Sequence, residues 1–140
     1  MSSTAMDPWA PLRVKLGELK KTWPAPQWKW DGRLVAVESV FQTTAFDAAH
    51  ASAKSLFPVQ WSSATLSQAP DVMRALAART GGLREGQLLF VGDAIETVVP
   101  YGLWWPWGSG TAITLRIGFA DVSPSVEPYL LLRELFGVTA

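Results

Sequence analysis

Tryptophan is concentrated in this chain to a degree that limits how it can fold. Eight of the 140 residues are tryptophan. Most of them lie in two short clusters, Trp23, Trp28 and Trp30 in the first and Trp104, Trp105 and Trp107 in the second. An indole ring buries a large apolar area, and its ring N–H still needs an acceptor. We expect a chain this small to have more indole than its interior can enclose, so that some rings cover a partner, a ligand or another copy.

The composition indicates one globular domain without disulfide bonds. The chain is 49% hydrophobic and 17% charged, and it contains no cysteine. The absence of cysteine excludes disulfides, thiolate zinc sites and cysteine nucleophiles, and it fits a cytoplasmic location, which we predict. Residues 1–10 lack the basic-then-apolar pattern of a signal peptide, and no run of apolar residues is long enough to predict a membrane span.

Charge is balanced overall but unevenly distributed. The formal net charge is zero, with six basic and three acidic side chains in residues 1–33 and six basic and nine acidic ones after them. A neutral chain has no global field that attracts nucleic acid. We predict an irregular, short-helical N-terminal arm over residues 1–26 and a single domain over 27–140. The arm is either a solvated basic segment or one that docks on an acidic surface.

Helical periodicity and terminal signals predict short helices after the N-terminal segment and between the strands. The predicted helices are Leu12–Lys21, Ala45–Phe57, Pro70–Arg79 and Pro128–Phe136. Thr44 is the predicted N-cap of the second helix. Gly81 or Gly82 is predicted to end the third helix in a left-handed conformation.

The clearest turn signal is Asp31-Gly32, which is flanked by alternating residues. Asp-Gly in this setting is typical of a two-residue hairpin. That register places Trp30 opposite Arg33 and Trp28 opposite Val35. Arg33 would then stack on the face of Trp30 as a cation–π pair.

Further strands are predicted over residues 59–66, 87–92, 95–105 and 111–121. In the last of them apolar side chains alternate with smaller or polar ones, which indicates one buried face. The strand beside it, residues 95–105, contains Pro100. We therefore expect that strand to lie at an edge of the sheet or to carry a bulge. Together the pattern predicts an α+β domain with an antiparallel or mixed sheet of about five strands and two to four helices mainly on one face.

The sequence offers no catalytic or metal-binding signature. His50 is the only histidine; Asp47 and Lys54 would share its helix face, but no nucleophile is indicated beside them. Asp93 and Glu96 lack the spacing of a calcium loop. We therefore predict no catalytic residue, no metal, no cofactor and no enzymatic activity.

The second aromatic cluster carries the functional hypothesis. Trp104 and Trp105 are neighbours on a predicted strand, so they point to opposite faces and cannot both enter a one-sided core. Trp104 is covered by a second layer of the same chain, by a protein partner, or by a stacked sugar or nucleobase. Single-stranded nucleic acid would need interleaved basic residues, and only Lys29 and Arg33 near the first cluster supply them.

We predict a non-enzymatic protein-interaction or structural subunit, such as an adaptor or assembly component, that acts through a Trp-rich surface. Its partner is another protein or further copies of itself, without a membrane span and without nucleic acid. The alternatives are a small-ligand module that stacks a sugar or nucleobase on tryptophan, an inhibitor or immunity-type protein, and, third, an enzyme of unrecognised type. The predicted partner-binding residues are Tyr101, Trp104, Trp105, Trp107, Trp28, Trp30 and Arg33.

Overall fold

An antiparallel sheet organises the chain, and the computed structural model describes residues 9–25, 27–95, 98–120 and 127–138. The helices are α1 (Ala10–Thr22), α2 (Phe46–Leu56), α3 (Asp71–Arg79) and α4 (Glu127–Phe136). The strands are β1 (Lys29–Asp31), β2 (Ala36–Gln42), β3 (Val59–Ser62), β4 (Leu88–Val91), β5 (Val99–Pro106) and β6 (Ala112–Ala120). Their order in the sheet is β1-β2-β6-β5-β4-β3, with every pair antiparallel. The α+β fold class is confirmed.

The main core lies between one face of the sheet and helices α1, α2 and α4. Leu12, Leu16 and Leu19 follow the spacing of one helix face, and each of them is fully buried. The described part of the segment that we expected to be an arm is therefore largely helical and is packed into the core. Its basic side chains occupy the outer face of α1, and Lys20 donates to the backbone carbonyl of Leu135.

Small side chains let α2 approach α1 closely. Ala49 and Ala53 are fully buried, and the Ser52 hydroxyl donates to the Leu19 carbonyl at 3.0 Å. The prediction of Thr44 as the N-cap is wrong. The cap position is Ala45, which is the last residue of a single 3₁₀ turn and makes no side-chain capping bond.

A second, smaller core lies on the opposite face of the sheet, beneath α3. Met73, Leu76 and Ala77 pack there against residues of β4, β5 and the end of β6. α3 covers part of this face, and every β6 residue except the half-buried Arg116 is buried, so the expectation of one buried face is wrong. Gly81 and Gly82 end α3 with positive φ angles, as predicted.

The first hairpin has a longer turn than predicted. Trp30 pairs with Val37 and Asp31 pairs with Ala36, so four residues, 32–35, form the loop. The predicted register is wrong because the Asp31 carboxylate accepts the backbone N–H groups of Arg33 and Leu34 (3.0 and 3.2 Å) and so builds a wider turn. The predicted pairing of Arg33 with Trp30 is therefore also wrong.

Pro100 lies on a central strand. We had expected the strand that contains it to lie at an edge of the sheet or to carry a bulge. β5 pairs with β4 on one side and β6 on the other. The Pro100 carbonyl accepts the Gly92 N–H at 2.9 Å, immediately beyond the last residue of β4. The missing proline N–H therefore falls where the β4 ladder is already ending, and the loss of one bond there is tolerated.

Candidate functional site

Part of the sheet face that carries α3 is left open. An open groove of about 720 Å³ lies on this part, where β2, β5 and β6 run side by side. It is lined by Gln27, Lys29, Glu38, Val40, Gln87, Trp105, Pro106, Trp107, Gly108, Thr114 and Arg116. Trp107 at its rim is 53% exposed and Val40 is 44% exposed. The groove therefore presents aromatic and aliphatic surface among polar groups.

The polar floor of the groove is centred on Arg116. Its Nε lies 3.0 Å from Asp31 Oδ2, and its Nη2 lies 3.2 Å from Glu38 Oε2. The side chains of all three residues are mostly buried. The guanidinium carbon also lies 4.9 Å from the centre of the Trp105 ring. Two carboxylates and an aromatic face thus hold the guanidinium in place.

Asp31 stays ionised in this arrangement. Burial raises the pKa of the Asp31 carboxyl, but the backbone N–H of Leu34, the Arg116 guanidinium and the backbone N–H of Arg33 together bring the pKa below its ordinary value. Donors aimed at a carboxylate favour its charged form. The same side chain therefore holds the hairpin turn and anchors the arginine of the groove.

The rim is set by the hairpin that joins β5 and β6. Trp107 Nε1 donates to Thr114 Oγ1 at 2.8 Å, and the Trp107 backbone N–H donates to the Ala112 carbonyl at 2.9 Å. These bonds hold the exposed indole in place. The ring N–H of Trp105, by contrast, is buried and has no partner among the described residues.

Comparisons with protein-family models, with curated proteins and with solved structures found no match for this chain. The geometry of the groove is therefore the basis on which a function is proposed for this chain.

The fold covers most of the tryptophan rings at least in part. Trp9, Trp23, Trp28 and Trp104 are buried, and Trp30, Trp61 and Trp105 are half-buried, which leaves only Trp107 exposed. Two buried rings have acceptors on distant elements: Trp23 Nε1 donates to Ser39 Oγ, and Trp9 Nε1 donates to Glu127 Oε2, both at 2.9 Å. The chain thus leaves one indole exposed and three partly exposed, and the expectation that such rings cover a partner or a ligand stays a prediction.

Trp104 belongs to the core and is only 1% exposed. Phe41, Phe90, Phe46 and His50 surround it, with ring centres 5.1 to 5.7 Å away. Of the three coverings considered for this residue, the structure shows the first, a second layer of the same chain. It therefore lies away from any surface on which a partner docks.

The remaining predicted site residues are dispersed. Tyr101 is 3% exposed in the core beneath α3, where burial raises its pKa. Trp28 packs on Phe136 in the main core, and Trp30 lies under the Arg133 guanidinium. Arg33 is exposed in the hairpin loop. The structure thus brings only Trp105 and Trp107, of the seven predicted residues, into one groove.

Sequence reasoning missed the polar half of the groove. The alternation in β6 already separated Thr114 and Arg116 from the apolar residues of that strand. It could not reveal that β2 lies beside β6, which places Glu38 opposite Arg116 and Val40 opposite Thr114. Asp31 was assigned only to the turn, and its second role depends on the same long-range pairing.

The histidine shows no catalytic pairing. His50 stacks on Phe46 with ring centres 5.6 Å apart, and its Nε2 lies 3.1 Å from the Gln60 side-chain oxygen. Among the described residues there is no group of His, Asp and Glu suited to a metal ion. Glu96, considered above with Asp93, lies outside the described residues. None of the helices within the described ranges has the length and hydrophobicity to span a bilayer.

Proposed function

We propose that this chain is a non-enzymatic protein-interaction module whose binding surface is the open groove around Trp107. The observation that carries the proposal is a groove of about 720 Å³ with a tryptophan at its rim that is 53% exposed but held by a hydrogen bond. A rigid aromatic ring loses little conformational entropy on binding, which is why tryptophan is enriched at binding hot spots.

The charge arrangement of the groove favours a neutral partner surface. Arg116 is already bonded to two carboxylates, so its charge is not free to capture an anionic ligand. Lys29 and Glu38 line the groove as a cross-strand pair of opposite sign. Affinity must then come from apolar burial and hydrogen bonding.

The proposal also places this module in the cytoplasm. The lack of cysteine is consistent with that location.

The capture of partners by matched variants tests this function. We would immobilise the chain, its Trp107→Ala variant and a Val14→Ala control, expose them to extract from the cells that produce the protein, and purify whatever binds the unmodified chain. Val14 is 66% exposed on α1 and does not line the groove, so the control removes exposed apolar surface elsewhere. The proposal requires a purified partner whose saturable binding is lost with Trp107→Ala and kept with Val14→Ala. Equal binding by all three would contradict it.

A small-ligand module is the second candidate. The observation in its favour is that side-chain amides of Gln27 and Gln87 line the groove beside the two indoles, an arrangement suited to sugar hydroxyls. Titration with oligosaccharides and nucleosides, followed by tryptophan fluorescence, distinguishes the two functions. Saturable quenching that Trp107→Ala abolishes would favour the small ligand.

A further inference from the structure

Hydrogen-bond acceptors in the groove are mostly occupied by the protein itself. Both Asp31 oxygens accept bonds, Oδ1 from the hairpin backbone and Oδ2 from Arg116 Nε. Thr114 Oγ1 accepts the Trp107 indole N–H. Glu38 Oε2 lies 3.2 Å from Arg116 Nη2, which leaves Glu38 Oε1 as the carboxylate oxygen of the groove that has no partner among the described residues. A ligand therefore finds few acceptors there for donors of its own.

Donors in the groove, by contrast, are left open. Gln87 Oε1 accepts the Arg84 backbone N–H at 2.8 Å, and only the oxygen of an amide side chain can accept such a bond. The Gln87 NH₂ group is therefore fixed as a donor on the groove wall, and no described residue accepts from it. The Lys29 ammonium and Arg116 Nη1 also lack acceptors within the described ranges, and neither is sealed from solvent. Free donors thus outnumber free acceptors.

The charges of the groove cancel. Lys29 and Arg116 carry two positive charges, and Asp31 and Glu38 carry two negative ones. A neutral site with free donors favours a neutral ligand that is rich in carbonyl oxygens and poor in N–H groups, because every buried polar group then finds a partner. A proline-rich peptide has this chemistry, since proline keeps its carbonyl and has no backbone N–H.

The strand register sets a spacing that suits such a peptide. Thr114 on β6 pairs with Val40 on β2 at one side and with Trp105 on β5 at the other. Neighbouring strands lie about 4.8 Å apart, so the backbones that carry Val40 and Trp105 are roughly 10 Å apart. One turn of a polyproline II helix has three residues and rises about 9 Å. A segment that crosses the strands in this conformation therefore places residues i and i+3 at the two apolar walls of the groove.

We propose that the groove binds a proline-rich segment of a partner protein in the polyproline II conformation. This inference rests on the proposed function and specifies its partner. One proline ring packs on the exposed face of Trp107, and another, three residues away, packs on Val40. Gln87, Lys29 and Arg116 donate to the carbonyls between them. Polyproline II is populated before binding, so the peptide loses little conformational entropy.

A neutral sugar fits this pattern less well. Every sugar hydroxyl brings a donor as well as an acceptor, and the groove has few free acceptors to receive those donors. A donor that is buried without a partner costs free energy. Sugars are therefore retained as a competing outcome of the experiment.

The probe is a capped peptide of about nine prolines, roughly three turns of the helix, titrated into the full chain by calorimetry. A capped peptide of equal length that alternates alanine and serine is the control, because it is uncharged and keeps the carbonyls but adds N–H groups. We expect the proline peptide to bind at least about tenfold more tightly. In NMR spectra of the unmodified chain, the Trp107 indole N–H signal should shift as the proline peptide saturates the protein.

Matched variants separate the donor from the turn that holds it. Gln87→Glu keeps an oxygen for the Arg84 N–H but removes the NH₂ donor. Gln68→Glu makes the same change in charge at an exposed position that does not line the groove. We expect Gln87→Glu to weaken the proline peptide about threefold to tenfold and Trp107→Ala to weaken it about tenfold or more. Gln68→Glu should leave its affinity unchanged.

Equal affinity for the two peptides, or no binding of the proline peptide, would overturn the proline-rich ligand. Binding that neither Trp107→Ala nor Gln87→Glu weakens would also overturn it. If a variant fails to fold, an unshifted Trp107 signal in the unmodified chain is the contradicting result. A captured partner that still requires Trp107 in any of these cases would preserve the interaction function and reject only this class of ligand. Saturable binding of a neutral oligosaccharide in place of the proline peptide would assign the groove to a small ligand and overturn both.

Discussion

Trp107 and Thr114 are joined across the β5–β6 hairpin by an indole-to-hydroxyl hydrogen bond of 2.8 Å. The bond links the most exposed tryptophan to a threonine that is only 4% exposed. A buried acceptor thus fixes the orientation of a surface ring. Preorganisation of this kind lowers the entropy that a binding surface loses when a partner docks.

Thr114→Val should release the Trp107 ring with little effect on folding. Valine keeps the shape of threonine but lacks the hydroxyl, and the freed indole N–H can bond to water. We expect the free energy of unfolding to change by about 1 kcal/mol or less, while the order of the Trp107 indole N–H, measured by NMR relaxation, and the affinity for the captured partner both fall. Thr114→Ser keeps the acceptor and should resemble the parent in each measurement. An unchanged affinity in Thr114→Val would show that ring orientation is irrelevant to binding.

Trp104→Ala and Trp107→Ala should behave oppositely in urea unfolding. Trp104 is enclosed by four aromatic rings, so its truncation leaves a large cavity and should cost about 3–5 kcal/mol, similar to Phe119→Ala. Trp107 is half exposed, and we expect its truncation to cost no more than about 1 kcal/mol. Comparable destabilisation of the two variants would place Trp107 in the core as well.

Phenylalanine substitution should separate a buried indole that has an acceptor, Trp23, from a buried ring N–H that lacks one, that of Trp105. Trp23→Phe leaves the buried Ser39 hydroxyl without its indole donor, whereas Trp105→Phe removes a ring N–H that has no partner among the described residues. We expect Trp23→Phe to lower the unfolding free energy by about 1–2 kcal/mol more than Trp105→Phe. Thermal and urea unfolding of the two variants measure this difference, and equal losses would mean that Trp105 has an acceptor after all.

Acid should weaken the fold partly through Asp31. Its pKa is lowered in the folded state, so its ionised form contributes stability above the unfolded pKa of about 3.9, and this contribution is lost as pH falls through the folded value. Asp31→Asn should therefore cost about 2 kcal/mol near neutral pH and should flatten the dependence of stability on pH below about 4. Urea midpoints measured between acidic and neutral pH test this. A parallel acid dependence in both proteins would rule out Asp31 as the titrating group.

The sequence by itself determined the helices, most of the strands and the α+β class. These features depend on local spacing, on prolines and glycines at helix ends, and on alternation within single strands, as the fully buried leucines of α1 illustrate. The sequence also determined that Trp104 and Trp105 point to opposite faces, because neighbours on a strand always do.

Only the tertiary structure decided which face each tryptophan meets and where the groove lies. The Asp31 carboxylate that accepts two backbone N–H groups of the turn also bonds Arg116, which is 85 residues away in the sequence. Trp104 is buried because Phe46 and His50 of α2 pack on its ring. Trp107 is exposed in the turn between β5 and β6. β1 pairs with only the first part of β2, because β1 is three residues long beside a strand of seven. Each of these outcomes depends on contacts between distant segments, which local patterns do not encode.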